Sequence, residues 1–97
     1  MAATVHVLSR YVARSGQEAA LKAALTSLVA PSRREIGCYQ YDLLEDSSDN
    51  RLFCFVERWD DIRALDRHRD TARIRAALEQ IEGLVESPPD VRRFTLV

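Results

Sequence analysis

Residues 37–68 read GCYQYDLLEDSSDNRLFCFVERWDDIRALDRH and hold two strand-like runs separated by turn residues. Between the runs, Asp46-Ser47-Ser48-Asp49-Asn50 favours a loop, because Asp, Asn and Ser side chains bond readily to the nearby backbone. The pattern therefore predicts a β-hairpin with strands over Cys38–Glu45 and Arg51–Trp59. We expect Glu45 to pair with Arg51 across this hairpin.

This register predicts two different faces, because successive side chains of a strand point to opposite sides. One face is predicted to hold Tyr39, Tyr41, Leu43, Phe53, Phe55, Glu57 and Trp59. The other is predicted to hold Cys38, Gln40, Leu44, Cys54 and Val56. The two cysteines do not oppose each other in this register, so we expect two buried thiols rather than a disulfide.

A strand and a helix are predicted before the hairpin. Thr4–Val12 is rich in β-branched and aromatic residues, and Ser15-Gly16-Gln17-Glu18 fits a capping box for a first helix. The apolar stripe of that helix has helical spacing and consists of Leu21, Ala24, Leu25, Leu28 and Val29. Pro31 is expected to end or kink the helix, and a second capping pattern at Ser32–Glu35 predicts a further helical turn.

Two helical segments and a strand are predicted after the hairpin. Asp60 or Asp61 is expected to cap the first segment, which has Ile62, Leu65 and His68 on one side. Thr71 is expected to cap the second, whose stripe is Ile74, Ala77, Leu78 and Ile81. Gly83–Asp90 forms a linker and Val91–Val97 a closing strand. The order βαββαβ predicts one ferredoxin-like α+β domain over residues 1–97, with a four-stranded antiparallel sheet and helices on one face.

Composition favours a globular protein over several other classes. The 97 residues are 46% hydrophobic and 30% charged, with a formal net charge of −1, which argues against a nucleic-acid partner. No apolar run approaches the length that spans a bilayer, so no membrane partner is expected. The N-terminal residues lack the features of a secretory signal, and the cytoplasm is the predicted location.

The predicted sheet has apolar residues on both faces. In the second hairpin strand, Phe53, Phe55 and Trp59 alternate with Leu52, Cys54 and Val56. Two helical segments cover only one face, and a large bare apolar face usually marks an interface. We therefore expect a homodimer that stacks the uncovered sheet faces.

Several spaced residues together resemble a known family. They are Ala30-Pro31-x-Arg33, Glu35 with Gly37-Cys38, Tyr41 with Leu43, Asp46 with Asp49, Phe53, Glu57-x-Trp59 and Ala64-Leu65-x-x-His68. With the order of elements, this combination resembles the antibiotic biosynthesis monooxygenase family of small dimeric α+β barrel proteins over nearly the whole chain. The combination is fairly specific for the fold and much less so for any one reaction.

The resemblance implies oxidation of quinol-like or polyphenolic substrates by O2, with no flavin, haem or metal cofactor. A deprotonated phenol or enol can itself reduce O2, so the protein supplies a base and an apolar pocket. His68 is the first candidate for the catalytic base and Glu57 the second. The predicted substrate contacts are Trp59, Tyr41, Phe55 and Arg73.

Each candidate also has a purely structural interpretation. His68 lies on an apolar stripe, where a hydrogen-bonded core histidine is common, and Trp59 at a strand end is typical of core packing. Glu57 could bond to Tyr39 across the hairpin or to an arginine. Tyr39 and Tyr41 could simply add contact area between the strands.

One departure from the family pattern weakens the prediction of an enzyme. Many relatives carry a second histidine five residues after the first, where this chain has Ala72-Arg73-Ile74. Arg73 could replace it by stabilising an anionic oxygen. The alternative hypotheses are a non-catalytic small-molecule-binding or stress-related domain of the same fold, and a related activity such as isomerisation.

Three further classes are disfavoured by particular residues. The haem-degrading branch uses a Trp and an axial His, and this chain has His68 and Leu78 at those places. RNA-recognition domains share the βαββαβ order, but their third strand carries glycines that are missing between Arg51 and Trp59. A metal-transfer protein would have a CxxC motif near the first strand, and the sequence has none.

Overall fold

The computed structural model describes residues 3–97, which form a four-stranded antiparallel sheet and four helices. In chain order these are β1 (Val5–Val12), α1 (Glu18–Thr26), α2 (Val29–Arg33), β2 (Cys38–Glu45), β3 (Leu52–Trp59), α3 (Ile62–Arg69), α4 (Ala72–Glu82) and β4 (Asp90–Phe94). The strand order β2-β3-β1-β4 confirms the ferredoxin-like α+β prediction. Residues 1 and 2 of the predicted domain lie outside the described residues.

The helix starts agree only in part with the predicted caps. Asp61 Oδ1 accepts a hydrogen bond from the Ala64 N–H at 2.9 Å, and Thr71 Oγ1 accepts one from the Ile74 N–H at 3.3 Å. Both predicted caps of the second half are therefore confirmed.

None of the helices in residues 3–97 is long and apolar enough to cross a membrane.

The two predicted capping boxes of the first half are wrong. Helix α1 starts after Gln17, which makes no side-chain cap, although Glu18 Oε1 accepts a bond from the Gly16 N–H at 3.0 Å. Ser32 makes no cap and is a fully buried residue inside α2, although its backbone oxygen accepts a 3.1 Å bond from the Glu35 N–H that closes one further turn. Pro31 lies in the first turn of α2, where its missing N–H leaves no helical bond unmade.

The hairpin register differs from the prediction by two residues. Glu45 pairs with Phe53 rather than with Arg51. Asp46 Oδ1 accepts bonds from two backbone N–H groups of the loop, and Asp49 Oδ1 accepts one from the Arg51 N–H, so the loop takes up more residues. Because side chains alternate with period two, the shift leaves the predicted faces of most residues unchanged.

A β-bulge at the start of β2 changes the face of two residues. Cys38 lies opposite Trp59, whereas Gln40 lies opposite Arg58, so one extra residue is inserted. Cys38 consequently packs against the core, and Tyr39 is 54% exposed, which corrects the predicted faces of both. Cys38 and Cys54 are free, and both are half-buried rather than buried as predicted.

The core lies between one sheet face and the helices. Its largest fully buried side chains are Trp59, Phe53, Phe55, Leu21, Leu25, Leu65 and Ile81. The opposite face is not covered by any described helix, and it exposes Leu8, Leu44 and Phe94. The His6–Phe94 and Leu8–Arg92 pairs show how β4 extends this uncovered face beyond β1.

Arg33 ties α2 to the outer strand β2. Its Nε donates to the backbone oxygen of Tyr41 at 3.0 Å, and its Nη2 donates to Asp42 Oδ1 at 2.9 Å. Strand β2 is an edge of the sheet, because only β3 pairs with it among the described residues. The arginine therefore lies across part of that edge.

Gly37 allows a close approach between the start of β2 and helix α3. Its φ is +87°, and a Cβ at this position would lie 2.7 Å from the Ala64 Cβ. The Gly37 oxygen also accepts a hydrogen bond from the Asp60 N–H at 2.8 Å. Only glycine allows both the positive φ and the short distance to Ala64 without strain. This residue therefore determines how closely the turn before β2 packs against α3.

Candidate active site

Glu57 and Trp59 project from β3 into the core, because they are two residues apart on one strand face. Glu57 is only 6% exposed and Trp59 is fully buried. The Trp59 Nε1–H donates to Glu57 Oε1 at 2.9 Å. The structural bond suggested from Glu57 to Tyr39 is therefore not formed, and Tyr41 is the residue that pairs with Glu57 on β2.

His68 contacts Trp59 from helix α3. It lies in the last turn of the helix, and only 4% of the residue is exposed. The ring centroids of His68 and Trp59 are 4.6 Å apart, and those of His68 and Tyr41 are 5.4 Å apart. The imidazole is thus packed between two aromatic rings, with its Nδ1 2.8 Å from Glu35 Oε2.

Glu35 joins His68 to Arg73 of helix α4. Its Oε2 accepts a bond from Arg73 Nη2 at 2.5 Å, in addition to the contact with His68 Nδ1. Arg73 Nη1 also donates to the buried Ser32 Oγ at 3.3 Å. Arg73 is therefore engaged by two groups of the protein.

Phe55 and two tyrosines complete the aromatic side of the site. Phe55 is buried, with its ring centroid 4.8 Å from Tyr41 and 5.8 Å from Tyr11. Tyr11 reaches the same region from β1, where it lies opposite Phe53. Three neighbouring strands thus provide one aromatic wall beside Glu57 and His68.

Burial controls the ionisation of the site. Burial raises the pKa of Glu57 from its ordinary value of 4.5 to about 7, although the Trp59 hydrogen bond and the charge of Arg69 oppose the shift. Burial lowers the pKa of His68, an effect that the Glu35 carboxylate opposes. Burial, aided by the Glu57 charge, raises the pKa values of Tyr11 and Tyr41, so both phenols stay protonated near neutral pH.

The structure brings all the predicted site residues into one region, and it adds others that the sequence did not indicate. His68, Glu57, Trp59, Tyr41, Phe55 and Arg73 are linked by the contacts above. Glu35, Ser32 and Tyr11 were not predicted as site residues, although Glu35 is part of the family pattern. Period-two alternation in the first strand could have found Tyr11, whereas Glu35 lies in a turn that has no periodic signal.

The site meets the surface depressions only at its margins. Of five open cavities of about 250–480 Å³ on residues 3–97, one is lined in part by Glu57 and another in part by Tyr41, and none of the five is lined by His68 or Trp59. Arg73 and Glu35 retain side-chain exposures of 32% and 20%, so solvent reaches the site from their side. Within residues 3–97 there is no group of three or more His, Cys, Asp and Glu side chains placed to hold a metal ion.

This arrangement is suited to proton transfer beside an aromatic surface. A carboxyl group with a pKa near 7 and a neutral imidazole both accept protons at neutral pH. They flank Trp59, which hydrogen-bonds one of them and stacks on the other. Such a pair can deprotonate a phenol or an enol that binds against the aromatic wall.

Comparison with known proteins gives a consistent result. The profile of the family described as "Antibiotic biosynthesis monooxygenase" matches residues 4–80. "Putative monooxygenase Rv0793" of Mycobacterium tuberculosis is 34% identical over 88 residues, which cover 91% of this chain and 86% of the relative. "Putative monooxygenase YcnE" of Bacillus subtilis is 37% identical over 70 residues, covering 72% and 74% of the two chains.

Solved structures of relatives share the whole fold. The crystal structure of PA3566 from Pseudomonas aeruginosa superposes with a TM-score of 0.93 at 34% identity, covering 100% of this chain and 97% of that one. The structure of Rv0793 superposes with a TM-score of 0.92 at 29% identity, covering 98% and 96%.

Proposed function

Because the chain belongs to the antibiotic biosynthesis monooxygenase family, we propose that it oxidises small aromatic, quinol-like or polyphenolic substrates with O2 and without a cofactor. The observation that carries the proposal is the buried Glu57 carboxyl, whose pKa is about 7 and which is bonded to Trp59, the ring that His68 also contacts. A base works best when its pKa lies near the working pH.

The proposed reaction begins with loss of a proton from the substrate. His68 or Glu57 accepts this proton, and the resulting electron-rich anion reduces O2. With an anthrone as substrate, one oxygen atom becomes the new ring carbonyl. The other leaves as water with the two hydrogen atoms of the oxidised CH2 carbon. The substrate supplies all the electrons, so the protein needs to provide only the base, the orientation and an environment of low polarity.

The remaining site residues have supporting roles in this proposal. Trp59, Tyr41 and Phe55 form the apolar wall against which the aromatic ring packs. Direct contact between Arg73 and an anionic oxygen requires Arg73 to give up a bond to Glu35 or to Ser32. That contact stays a prediction.

Oxygen uptake by the purified protein, measured with a panel of quinols and anthrones, tests the proposal. We expect turnover by the wild type and a loss of about 10²–10⁴-fold in kcat for His68→Ala or Glu57→Gln. Glu45→Gln is the matched control, because this carboxylate pairs with Lys22 on the surface and should leave turnover unchanged. Absence of turnover on the whole panel, or full activity in both site variants, would contradict the proposal.

A non-catalytic binding domain is the second candidate. The observation that favours it is the engagement of Arg73, since the group at the place of the second histidine is already bonded within the protein. A small aromatic molecule that co-purifies with the protein and is not oxidised in air would support this candidate over the first.

We also infer a homodimer formed through the uncovered sheet face. Leu8, Leu44 and Phe94 are 40–52% exposed there, which leaves an apolar surface of the kind that interfaces bury. Leu8→Asp is expected to halve the mass measured by sedimentation while leaving the circular dichroism unchanged. A wild-type protein that sediments as a monomer would remove this inference.

A further inference from the structure

The hydrogen bonds around Glu35 determine which nitrogen of His68 carries the proton. Glu35 Oε2 faces both Arg73 Nη2 at 2.5 Å and His68 Nδ1 at 2.8 Å. A guanidinium group has only donors, so the oxygen that it bonds is an unprotonated acceptor. His68 Nδ1 is therefore the donor in the second contact, and in the neutral ring the lone pair lies on Nε2.

Packing holds the ring in this orientation. Trp59 stacks on the imidazole and Tyr41 contacts it edge-on, with centroids 4.6 Å and 5.4 Å away. A ring flip would break the bond to Glu35 inside a site that is almost closed to water. No described residue hydrogen-bonds Nε2, so this atom is left free for a bound molecule.

The backbone holds Glu35 at the required distance from α3. Its N–H donates to the Ser32 oxygen and its oxygen accepts from the Cys38 N–H, both at 3.1 Å. Gly37 then brings this turn against Ala64, one turn before His68 on α3. The carboxylate is thus fixed from its own turn and also by Arg73 from α4.

We propose that Glu35 is a positioning residue that fixes neutral His68 as its Nδ1–H tautomer, so that Nε2 faces the substrate as the base. Arg73 holds the Glu35 carboxylate in its orientation, which gives the arginine a function at the place of the family's second histidine. The use of Nε2 in catalysis rests on the proposed function, whereas the tautomer is a property of the protein alone. The roles follow the general pattern in which a third group orients the base.

Nitrogen-15 NMR of the labelled full chain tests the tautomer directly, without a substrate. The chain has two histidines. The imidazole signals that vanish in His6→Gln belong to His6, so those that remain belong to His68. We expect His68 to be protonated on Nδ1 and bare on Nε2 above its pKa. A wild-type His68 protonated on Nε2 instead would overturn the proposal.

Charge variants provide the second measurement. The charged groups nearest to His68 are Glu35, Arg73 and Arg69. Tyr41 contacts the His68 ring directly, and the Glu57 carboxyl is bonded to Trp59, which also contacts that ring. Glu35→Gln should lower the pKa of His68, because it removes the negative partner of the imidazolium. Arg73→Gln should raise it, because it removes a nearby positive charge. Glu45→Gln should leave it unchanged, and an unchanged His68 titration in Glu35→Gln would overturn the proposal.

Activity separates positioning from mere structural support. We expect Glu35→Gln to lower kcat on the order of tenfold or more, with little change in KM or in thermal stability. The acid limb of its pH–rate profile should move to lower pH together with the pKa of His68. If the tautomer is found as expected but no substrate is oxidised, the proposed function fails while the assignment of Glu35 stands.

Discussion

The two faces of strand β3 differ in how deeply their side chains are buried. On the face covered by helices, Phe53, Phe55, Glu57 and Trp59 are each at most 6% exposed, whereas Cys54 and Val56 between them are only half-buried. The covered face combines close aromatic packing with ionisable groups whose hydrogen bonds are fixed. The uncovered face has apolar side chains and a free surface. We infer that chemistry belongs to the first face and assembly to the second.

Removing an aromatic side chain should give the largest loss of stability, and the loss should depend on which face of the sheet carries that side chain. Phe55→Ala is expected to lower the free energy of unfolding by about 3–5 kcal/mol, because it leaves a cavity in a tightly packed core. Phe94→Ala, on the uncovered face at 44% exposure, should cost less than about 1 kcal/mol in the dissociated protomer. Urea denaturation measures both values, and similar losses would show that the faces do not differ as described.

The ionisation of Glu57 should give the next largest effect. Its pKa is raised from 4.5 in the unfolded chain to about 7 in the folded protein, so the folded state holds the proton more tightly. The contribution of Glu57 to the free energy of unfolding is fully present below pH 4.5 and is lost as the pH rises through about 7. The loss amounts to about 3 kcal/mol. Glu57→Gln should therefore gain stability relative to the wild type across this range.

The comparison between wild type and variant isolates Glu57 from other groups. His68 has a lowered pKa, so its own contribution has the opposite sign and is lost as the pH falls. Denaturation curves at pH 4.5 and at about pH 8 measure the difference between the two proteins. A difference that does not change with pH would rule out a raised pKa for Glu57, and surface Glu45→Gln should show no such change.

Two glycine substitutions should give a smaller effect that tests the fit of the turn against α3. Gly37→Ala combines a positive φ with a Cβ only 2.7 Å from the Ala64 Cβ, and it should cost about 1–3 kcal/mol. Gly16→Ala has nearly the same φ but open space around it, so it isolates the backbone strain. Equal losses in the two variants, measured by thermal denaturation, would mean that the close approach to Ala64 costs nothing.

The smallest effect is expected for an ion pair at the surface. Lys22 and Glu45 lie 3.0 Å apart with side-chain exposures of 60% and 39%, so Glu45→Gln should cost about 0.5 kcal/mol or less. The buried Glu35–His68 contact has a similar length but is held among aromatic rings. Denaturation at low and high salt should show a screened, weak contribution only for the surface pair, and a large salt-independent loss in Glu45→Gln would contradict this interpretation.

Period-two alternation explains why the faces of the hairpin could be predicted although its register could not. The register depends on how Asp46 and Asp49 bond within the loop, but an even shift keeps each side chain on its face. The reversed positions of Cys38 and Tyr39 come from a bulge, which no alternation pattern indicates. Next to the bulge, the Asp60 N–H bonds the Gly37 oxygen, a tertiary contact that local alternation does not indicate either.

The residues of the site, too, could be predicted only where a local sequence pattern indicates them. The resemblance to the family, together with the chemistry of the side chains, selected His68, Glu57 and Trp59 as candidates. Glu35 belongs to the same family pattern, but its role could not be predicted, because its contact with His68 spans 33 positions in the chain and exists only once α3 packs against the turn at Gly37. The partner of a predicted base is thus harder to find in a sequence than the base itself.

The side chain of Arg33 has a consequence for how copies of this chain meet in a crowded solution. An unpaired edge strand is a template on which a foreign strand can add and start a fibril. Arg33 occupies a backbone acceptor of β2 and brings a charge to that edge, paired with Asp42. An added strand would have to displace and desolvate the guanidinium before it could form a ladder. Open-ended growth along this edge of the sheet is thereby disfavoured.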